Sequence, residues 1–538
     1  MKGDFTRDTF DAHKHYNRVN MQQGRVQLDA DWNEENSIIL HYLQNLAKDL
    51  IGTQGGPPEG CGFEIIPVLS EKDSDLDFAI SCGHYYVDGI LCENDSPTAN
   101  IRRVERSNRK SKSAKDVIYV LEKSRKKPLG LKEAKTEDLC VTTYKTQPDY
   151  PLPESEKLAN KTESHHLVYL DVWERHITIL DDPDIREVAL GGADTCTRTK
   201  IVWQVKVSAL KDVLEKNRAL NSDKIQRLLK EKFQPENRGR MKVRIKQPAN
   251  DESEISAKGQ EAGYRGLENH LYRVEIHQGS ERRRPTFKWS RENGSVAFPI
   301  RKLEGKIVTL KTFGMDGTKS LCEGDFVEIE NDDYVLQNRT ERLLEIEKID
   351  RNNLKVFLRK SPESEVGTQP EKHALLRRWD HKKDGLKLDG GAVLLKENVW
   401  LDLENGIQVF FEGRGQTYRR GDYWLIPART VTHNIEWPGT SANPESIPPH
   451  GVMHHYAPLA IISRVNKTFR VRDCRLKFRA LPIADLKRRH FAVSYDEDTD
   501  RSKVIFGDGE RGERLPEGND QVSATYRRGQ RKKRRKHT

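Results

Sequence analysis

The chain has 538 residues, 35% of them hydrophobic and 33% charged; a single core serves roughly 100 to 200 residues, so several small domains joined by polar loops are expected rather than one thick globule. The formal charge is +10, but eight Lys or Arg lie between Arg527 and Lys536 and leave residues 1–526 at only +2, which argues against a nucleic-acid surface, since that needs basic residues spread along a face. Seven scattered cysteines without a Cys-x-x-Cys pair point to a reduced, cytoplasmic compartment, while the polar stretch Met1 to Phe10 and the lack of any apolar run near ~20 residues argue against a secretory signal and a membrane span.

The first predicted element follows Gln23-Gly24-Arg25-Val26-Gln27-Leu28. Asp31 precedes Trp32 and is followed three residues later by Glu34, a capping-box arrangement that starts a helix. Ile39, Leu43, Leu46 and Leu50 recur at spacings of four and three, which makes one apolar stripe over three turns, and Gly52 supplies the stop. Such a stripe needs a partner surface, either in its own domain or on a neighbouring subunit.

Beyond Gly55-Gly56-Pro57-Pro58 the texture turns to short β patterns, with a hairpin expected over 76–93. Residues 102–115 and 121–164 are rich in Lys, Arg, Glu, Ser and Pro and read as solvated loops or insertions. Strands are predicted at 166–173 and 200–207, around the acidic turn Asp181-Asp182-Pro183-Asp184. From Leu210 the pattern becomes helical, and the polar stretch 234–263 is the first candidate boundary between domains. Strand patterns resume over 264–305, and 306–378 carries alternating runs at intervals that suit a barrel or sandwich of five or six strands. Residues 400–480 have the same texture.

The expected fold is therefore mainly β and multidomain, with small β-sandwich or barrel units, an N-terminal helix and one short helical insertion. The partition is 1–55 for a docking segment and helix, 56–233 for a first β-rich domain with a helical end, 264–305 for a β unit, 306–378 for a small barrel or sandwich, 379–526 for a C-terminal β-rich domain, and 527–538 for a disordered polybasic tail.

Chemical signatures are few. Asp496-Glu497-Asp498-Thr499-Asp500 imitates the start of a calcium loop, but Arg501 stands where that loop needs Gly and Gly507 where it needs Glu. His454-His455, His165-His166 and His13-Lys14-His15 lack the spacing of a zinc site. Phosphate-loop, nucleophile-elbow and His-Glu-x-x-His patterns are missing, so neither cofactor nor catalytic residue is assigned and a non-enzymatic chain is expected. Trp173, Trp203, Trp289 and Trp424 fall inside strand patterns and read as core anchors.

Several segments together resemble an uncharacterised family encoded beside phage tail and contractile injection system genes. These are Met1-Lys2-Gly3-Asp4-Phe5-Thr6-Arg7, Gln23-Gly24-Arg25 through Asp29-Ala30-Asp31-Trp32-Asn33-Glu34, Tyr86-Val87-Asp88-Gly89-Ile90-Leu91, Asp171-Val172-Trp173-Glu174-Arg175-His176, Trp289-Ser290-Arg291-Glu292-Asn293-Gly294 and Gly421-Asp422-Tyr423-Trp424-Leu425-Ile426-Pro427-Ala428-Arg429. Near the end, Val504-Ile505-Phe506-Gly507-Asp508-Gly509-Glu510-Arg511-Gly512 is similar to the signature of phage baseplate J-like wedge proteins, and Gly507, Gly509 and Gly512 fit a tight turn beside Asp508.

The resemblance implies a structural subunit of a phage-tail-like contractile injection particle, at or near its baseplate and present in several copies. Other particle subunits, at the baseplate or tail tip, are the expected partners, met through Trp32, Ile39, Leu43, Leu46 and Leu50. Arg531, Lys532, Lys533, Arg534, Arg535 and Lys536 would reach an anionic partner, either an acidic subunit groove or the cytoplasmic face of a membrane, with nucleic acid a distant third. The competing expectation is a receptor- or glycan-binding module at the particle tip.

Overall fold

The computed structural model describes residues 1–70, 72, 76–106, 116–121, 132–158, 165–191, 194–209, 222–234, 237–246, 263–281, 284–314, 319–383, 385–413, 415–465, 468–478, 491–496 and 501–506. The chain divides into two compact units, Met1–Lys477 and Phe478–Thr538. In the second, Phe491–Asp496 and Arg501–Phe506 form an antiparallel hairpin with Asp496 opposite Arg501. The Gly507–Gly512 turn and the basic tail lie outside the described residues.

The first unit is mainly β and contains three bodies nested along the chain, each encoded as an insertion in the next. The outermost is a sandwich whose four-stranded sheet runs in the order Arg198–Ala209, His165–Ile177, His455–Val465, Thr468–Asp473. The two strands predicted at 166–173 and 200–207 pair with one another over twelve residues. Period-two alternation decides their faces. Val168, Leu170 and Val172 point into a core shared with Phe78, Ile80, Tyr85 and Val87, whereas Leu167 and Tyr169 point the other way, onto Ile225 and Leu229 of a helix over Ser222–Phe233. Because His455–Val465 also pairs with His165–Ile177, the outer sandwich draws strands from both the 56–233 and the 379–526 segments.

The middle body is a second sandwich. A six-stranded sheet that includes His270–Gln278, Thr286–Ser290 and Tyr423–Arg429 packs on a three-stranded sheet of Met241–Ile245, Ile407–Phe411 and Trp400–Asp402. The polar stretch 234–263 thus contains a sheet strand, Met241–Ile245, whose Met241, Val243 and Ile245 are buried. The innermost body is a closed six-stranded barrel. It begins at Ala297, earlier than the hydrophobic pattern implied, and ends with Leu375–Trp379, which pairs with its first strand.

Two local expectations change. The hairpin near residue 85 joins Gly83–Val87 to Ile90–Asn94 across Asp88-Gly89, while Phe78–Ser81 belongs to a different sheet. Asp88 and Gly89 both have positive φ, 49° and 84°, the conformation that a two-residue turn with the right twist demands. The charged stretches expected as loops contain most of the strand Ala99–Arg106 and all of Lys132–Thr143, with the strand Asp116–Leu121 between them. Their Lys and Glu residues hid a period-two pattern carried by Ile101, Val141 and neighbours.

Candidate docking surface

Helix α1 spans Asp29–Ile51 and ends at Gly52, whose φ of 93° only glycine adopts readily. It starts earlier than the capping box predicted: Leu28 is the N-cap without a side-chain bond, and Asp31 lies inside the first turn. Asp29 takes the anchoring role instead, accepting from the Thr6 amide at 2.9 Å and from its hydroxyl at 2.5 Å. Burial would raise the Asp29 carboxyl, but these bonds hold it below its ordinary value.

Only Ala30 and Ile38 of α1 are buried. Trp32, Ile39, Leu43, Leu46 and Leu50 are 48–58% exposed. They lie within one narrow stripe, roughly 27 Å long from the 1.5 Å rise per residue, with Leu40 and Tyr42 exposed beside it. Half of the exposed large apolar side chains among the described residues fall between Tyr16 and Leu50. Such concentration marks an interaction surface, since apolar residues scattered singly need no explanation.

Three of the helix's charged residues are occupied elsewhere. Glu34 accepts from the Thr9 hydroxyl at 2.6 Å, Glu35 accepts from the Val19 amide, and Lys48 lies 3.7 Å from Asp88. The exposed stripe is bordered by Asn36, Leu40 and Tyr42, with Asp31 and Asp49 further round the helix. At its C-terminal half α1 rests directly on the Asp88-Gly89 turn, where a Cβ on Gly89 would come within 2.1 Å of the Gln44 carbonyl oxygen. Gly89→Ala should loosen this contact at a cost of about 1–3 kcal/mol. Hydrogen exchange should accelerate in residues 44–51 and stay unchanged in the barrel; unchanged exchange in α1 would refute the contact's importance.

The segment before α1 is tied into the body rather than free to reach a neighbour. The Asn293 side-chain amide donates to the Gly3 carbonyl at 2.9 Å, Arg273 donates to the Met1 carbonyl at 3.1 Å, and Arg429 donates to the Thr6 carbonyl at 3.1 Å. Phe5 meets the His176 ring edge-on at 5.9 Å. Lys2 enters a buried charge network, 3.1 Å from Glu330 and 3.6 Å from Glu275. One short segment thus touches both sandwiches and the barrel.

That network fills the seam between the second sandwich and the barrel. On Thr286–Ser290, Phe287 and Trp289 face the sandwich core and Lys288 faces the barrel; on Phe326–Glu330, Val327 and Ile329 face the barrel interior and Glu328 and Glu330 face the sandwich. Lys288 Nζ lies 2.6 Å from Glu328 and 3.3 Å from Glu275. Trp379 Nε1 donates to Glu328 at 2.9 Å, and Arg377 contacts Glu330 through two bonds of 3.1 Å. Burial alone would raise the Glu275 carboxyl, but Lys2, Arg273 and Lys288 hold it well below the usual carboxylate range.

The remaining suspects resolve into structural pairs. His454 Nδ1 sits 2.7 Å from Asp171, and His455 Nδ1 sits 3.0 Å from Asp88, so these neighbours serve different carboxylates. Among the described residues, no group of three or more His, Cys, Asp or Glu is placed to hold a metal ion. No helix among them is long and apolar enough to cross a membrane. Sequence reasoning missed the charge network because Arg273, Glu275 and Lys288 occupy the alternate positions that a strand normally turns to water.

The chain matches a family described as a family of unknown function, DUF6519, over residues 1–108, 129–247 and 221–496. No curated protein matches it.

Proposed function

For this chain, which belongs to the family of unknown function DUF6519, we propose a non-enzymatic role as a structural subunit of a phage-tail-like contractile injection particle, at or near the baseplate. The observation that carries a role in assembly is the α1 stripe, an apolar surface held on a helix that is fixed to the body at both ends. A helix laid into an apolar groove reads its partner through anchors at such spacings. The particle context rests on the motif resemblances, including that of residues 504–512 to baseplate J-like wedge proteins.

The partner of the stripe is an apolar groove on another particle subunit. Its binding should resist salt, because the flanks carry no free charge cluster for screening to act on. A sugar-binding face at the particle tip draws less support: Trp173, Trp203, Trp289, Trp379 and Trp424 are buried, and the strongly exposed tryptophan, Trp32, belongs to the stripe itself.

The test is substitution rather than truncation, since removing residues 1–52 would also remove Lys2 from the buried network. Leu43→Glu with Leu46→Glu, produced together with the other particle components, should give a folded protein whose amount in purified particles falls at least about tenfold, the loss of roughly 1.4 kcal/mol or more of docking energy. Quantitative mass spectrometry of the particles reads the outcome. Undiminished incorporation of the double variant would overturn the docking role.

A further inference from the structure

In the five-stranded sheet of the outer sandwich, Phe78–Ser81 pairs antiparallel with Lys132–Thr143, and Ser81 stands opposite Val141. Continued by one residue, that register sets Cys82 opposite Cys140. The two cysteines do stay together: Cys82 Sγ lies 3.4 Å from the Cys140 carbonyl oxygen. Directly opposed residues of an antiparallel pair have Cβ atoms ~4.5–5.5 Å apart, and a disulfide needs ~3.5–4.5 Å. A shift of about 1 Å closes the gap, and Cys82 is placed to make it because it lies just past the end of its strand. We propose that Cys82 and Cys140 form a redox-controlled cross-strand clamp, held as thiols in a reducing compartment and joined as a disulfide under a glutathione-disulfide or comparable two-electron oxidant.

The chemistry follows from exposure. Cys140 is exposed and Cys82 is half-buried beside it. Burial, then the neighbouring Cys140 thiol, raises the Cys82 thiol above its ordinary value, as expected for two sulfurs within reach of one another. The Cys140 thiolate attacks oxidised glutathione and releases one reduced glutathione. The Cys82 thiolate then attacks Cys140 Sγ and releases the second. Two protons leave the thiols, two electrons pass to the oxidant, and one S–S bond forms in the protein.

The clamp has a structural consequence. Phe78 and Ile80 are core residues of the outer sandwich, whereas Lys132–Thr143 also pairs with Ala99–Arg106, which in turn pairs with Asp116–Leu121. Oxidation would fasten that three-stranded arm to the core. Cys196 and Cys322 provide the internal comparison, being exposed and far from one another in sequence.

The full-length protein is incubated with oxidised glutathione, alkylated, digested without reduction and analysed by mass spectrometry. The expected product is a peptide pair joining Cys82 to Cys140, about 2 Da lighter than the two reduced peptides together. The oxidised protein should also unfold at a higher temperature than the reduced one, and Cys140→Ser should abolish both effects. Recovery of Cys82 in alkylated form from protein whose Cys196 and Cys322 carry glutathione would overturn the proposal, because the oxidant would then have acted without closing the clamp.

Discussion

Replacing Lys288 by methionine is expected to destabilise the first unit by about 3–5 kcal/mol, the range found when one partner of a buried ion pair is removed. Lys288 is 2% exposed, its Nζ lies against Glu328 and Glu275, and it sits 4.4 Å from the centroid of the Trp379 ring. Burial would lower its pKa, but Glu328, Glu275 and Glu330 raise it above the ordinary lysine value. Methionine preserves the volume and removes the charge. Glu328 then keeps its bonds from Trp379 and Tyr334 but loses the ammonium against it while remaining 1% exposed. The companion change Glu328→Gln removes the stranded charge, so the double variant should recover about 2 kcal/mol relative to the sum of the single changes. Denaturant unfolding of the four proteins measures both quantities. A Lys288→Met protein within about 1 kcal/mol of wild type would sink this account of the seam.

The second large effect is a histidine-driven loss of stability in mild acid, beginning before the cation-paired carboxylates titrate. His381 is fully buried, its Nε2 donates to the Gly391 carbonyl at 2.8 Å, and its ring stacks on Phe326 at 4.9 Å. Burial lowers its pKa from 6.5 to about 4. His277, buried on the strand that also carries Glu275, is pushed well below 6.5, first by burial and then by Lys288. The unfolded imidazole takes up a proton below about pH 6.5 and the folded one does not, so the unfolded state binds more protons between about pH 6.5 and 4. Stability is therefore complete above about pH 6.5 and falls as the pH drops. His381 alone removes about 3 kcal/mol by pH 4.

Asp77, which burial raises to about 6, takes up a proton in the folded state first and offsets part of this loss, whereas the cation-paired carboxylates act in a lower window. Glu275 and Glu330 have folded pKa values depressed by their cations despite burial, so their contribution is present above about pH 4.5 and is lost below it. Calorimetric unfolding midpoints from pH 7.5 to 4.5 should decline below about pH 6.5, and His381→Gln should flatten the decline. A midpoint independent of pH between 7 and 5 would remove the histidines from the argument.

Much of the architecture was legible because it depends on alternation. His166–Trp173 and Lys200–Val207 carry apolar residues at period two, and they form paired strands that send Val168, Leu170, Val172, Val205 and Val207 into one core. The barrel strands at 307–310, 326–329 and 354–358 were visible for the same reason. Pairing between distant segments was not visible, since nothing in His455–Val465 specifies His165–Ile177 as its neighbour rather than a strand nearby. The α1 stripe was legible as a stripe, while its exposure depended on what the rest of the chain left uncovered. The seam was missed for a physical reason: Lys288, Glu328 and Glu330 satisfy one another, and a charged residue on a strand looks the same in sequence whether water or an opposite charge awaits it.

The insertion of one body's sequence within another's also sets an order of completion during synthesis. The barrel is encoded without interruption from Ala297 to Trp379 and can close as soon as that stretch has left the ribosome. The second sandwich must wait for Ile407–Phe411 and Tyr423–Arg429, and the outer sandwich for His455–Val465. Lys2 precedes every one of these strands, yet its seat between Glu275 and Glu330 exists only after the barrel has formed and met the sandwich around it. During elongation the α1 helix therefore lacks its N-terminal anchorage, and a nascent chain displays the apolar stripe on a loose tether long before the finished protein presents it at a fixed angle.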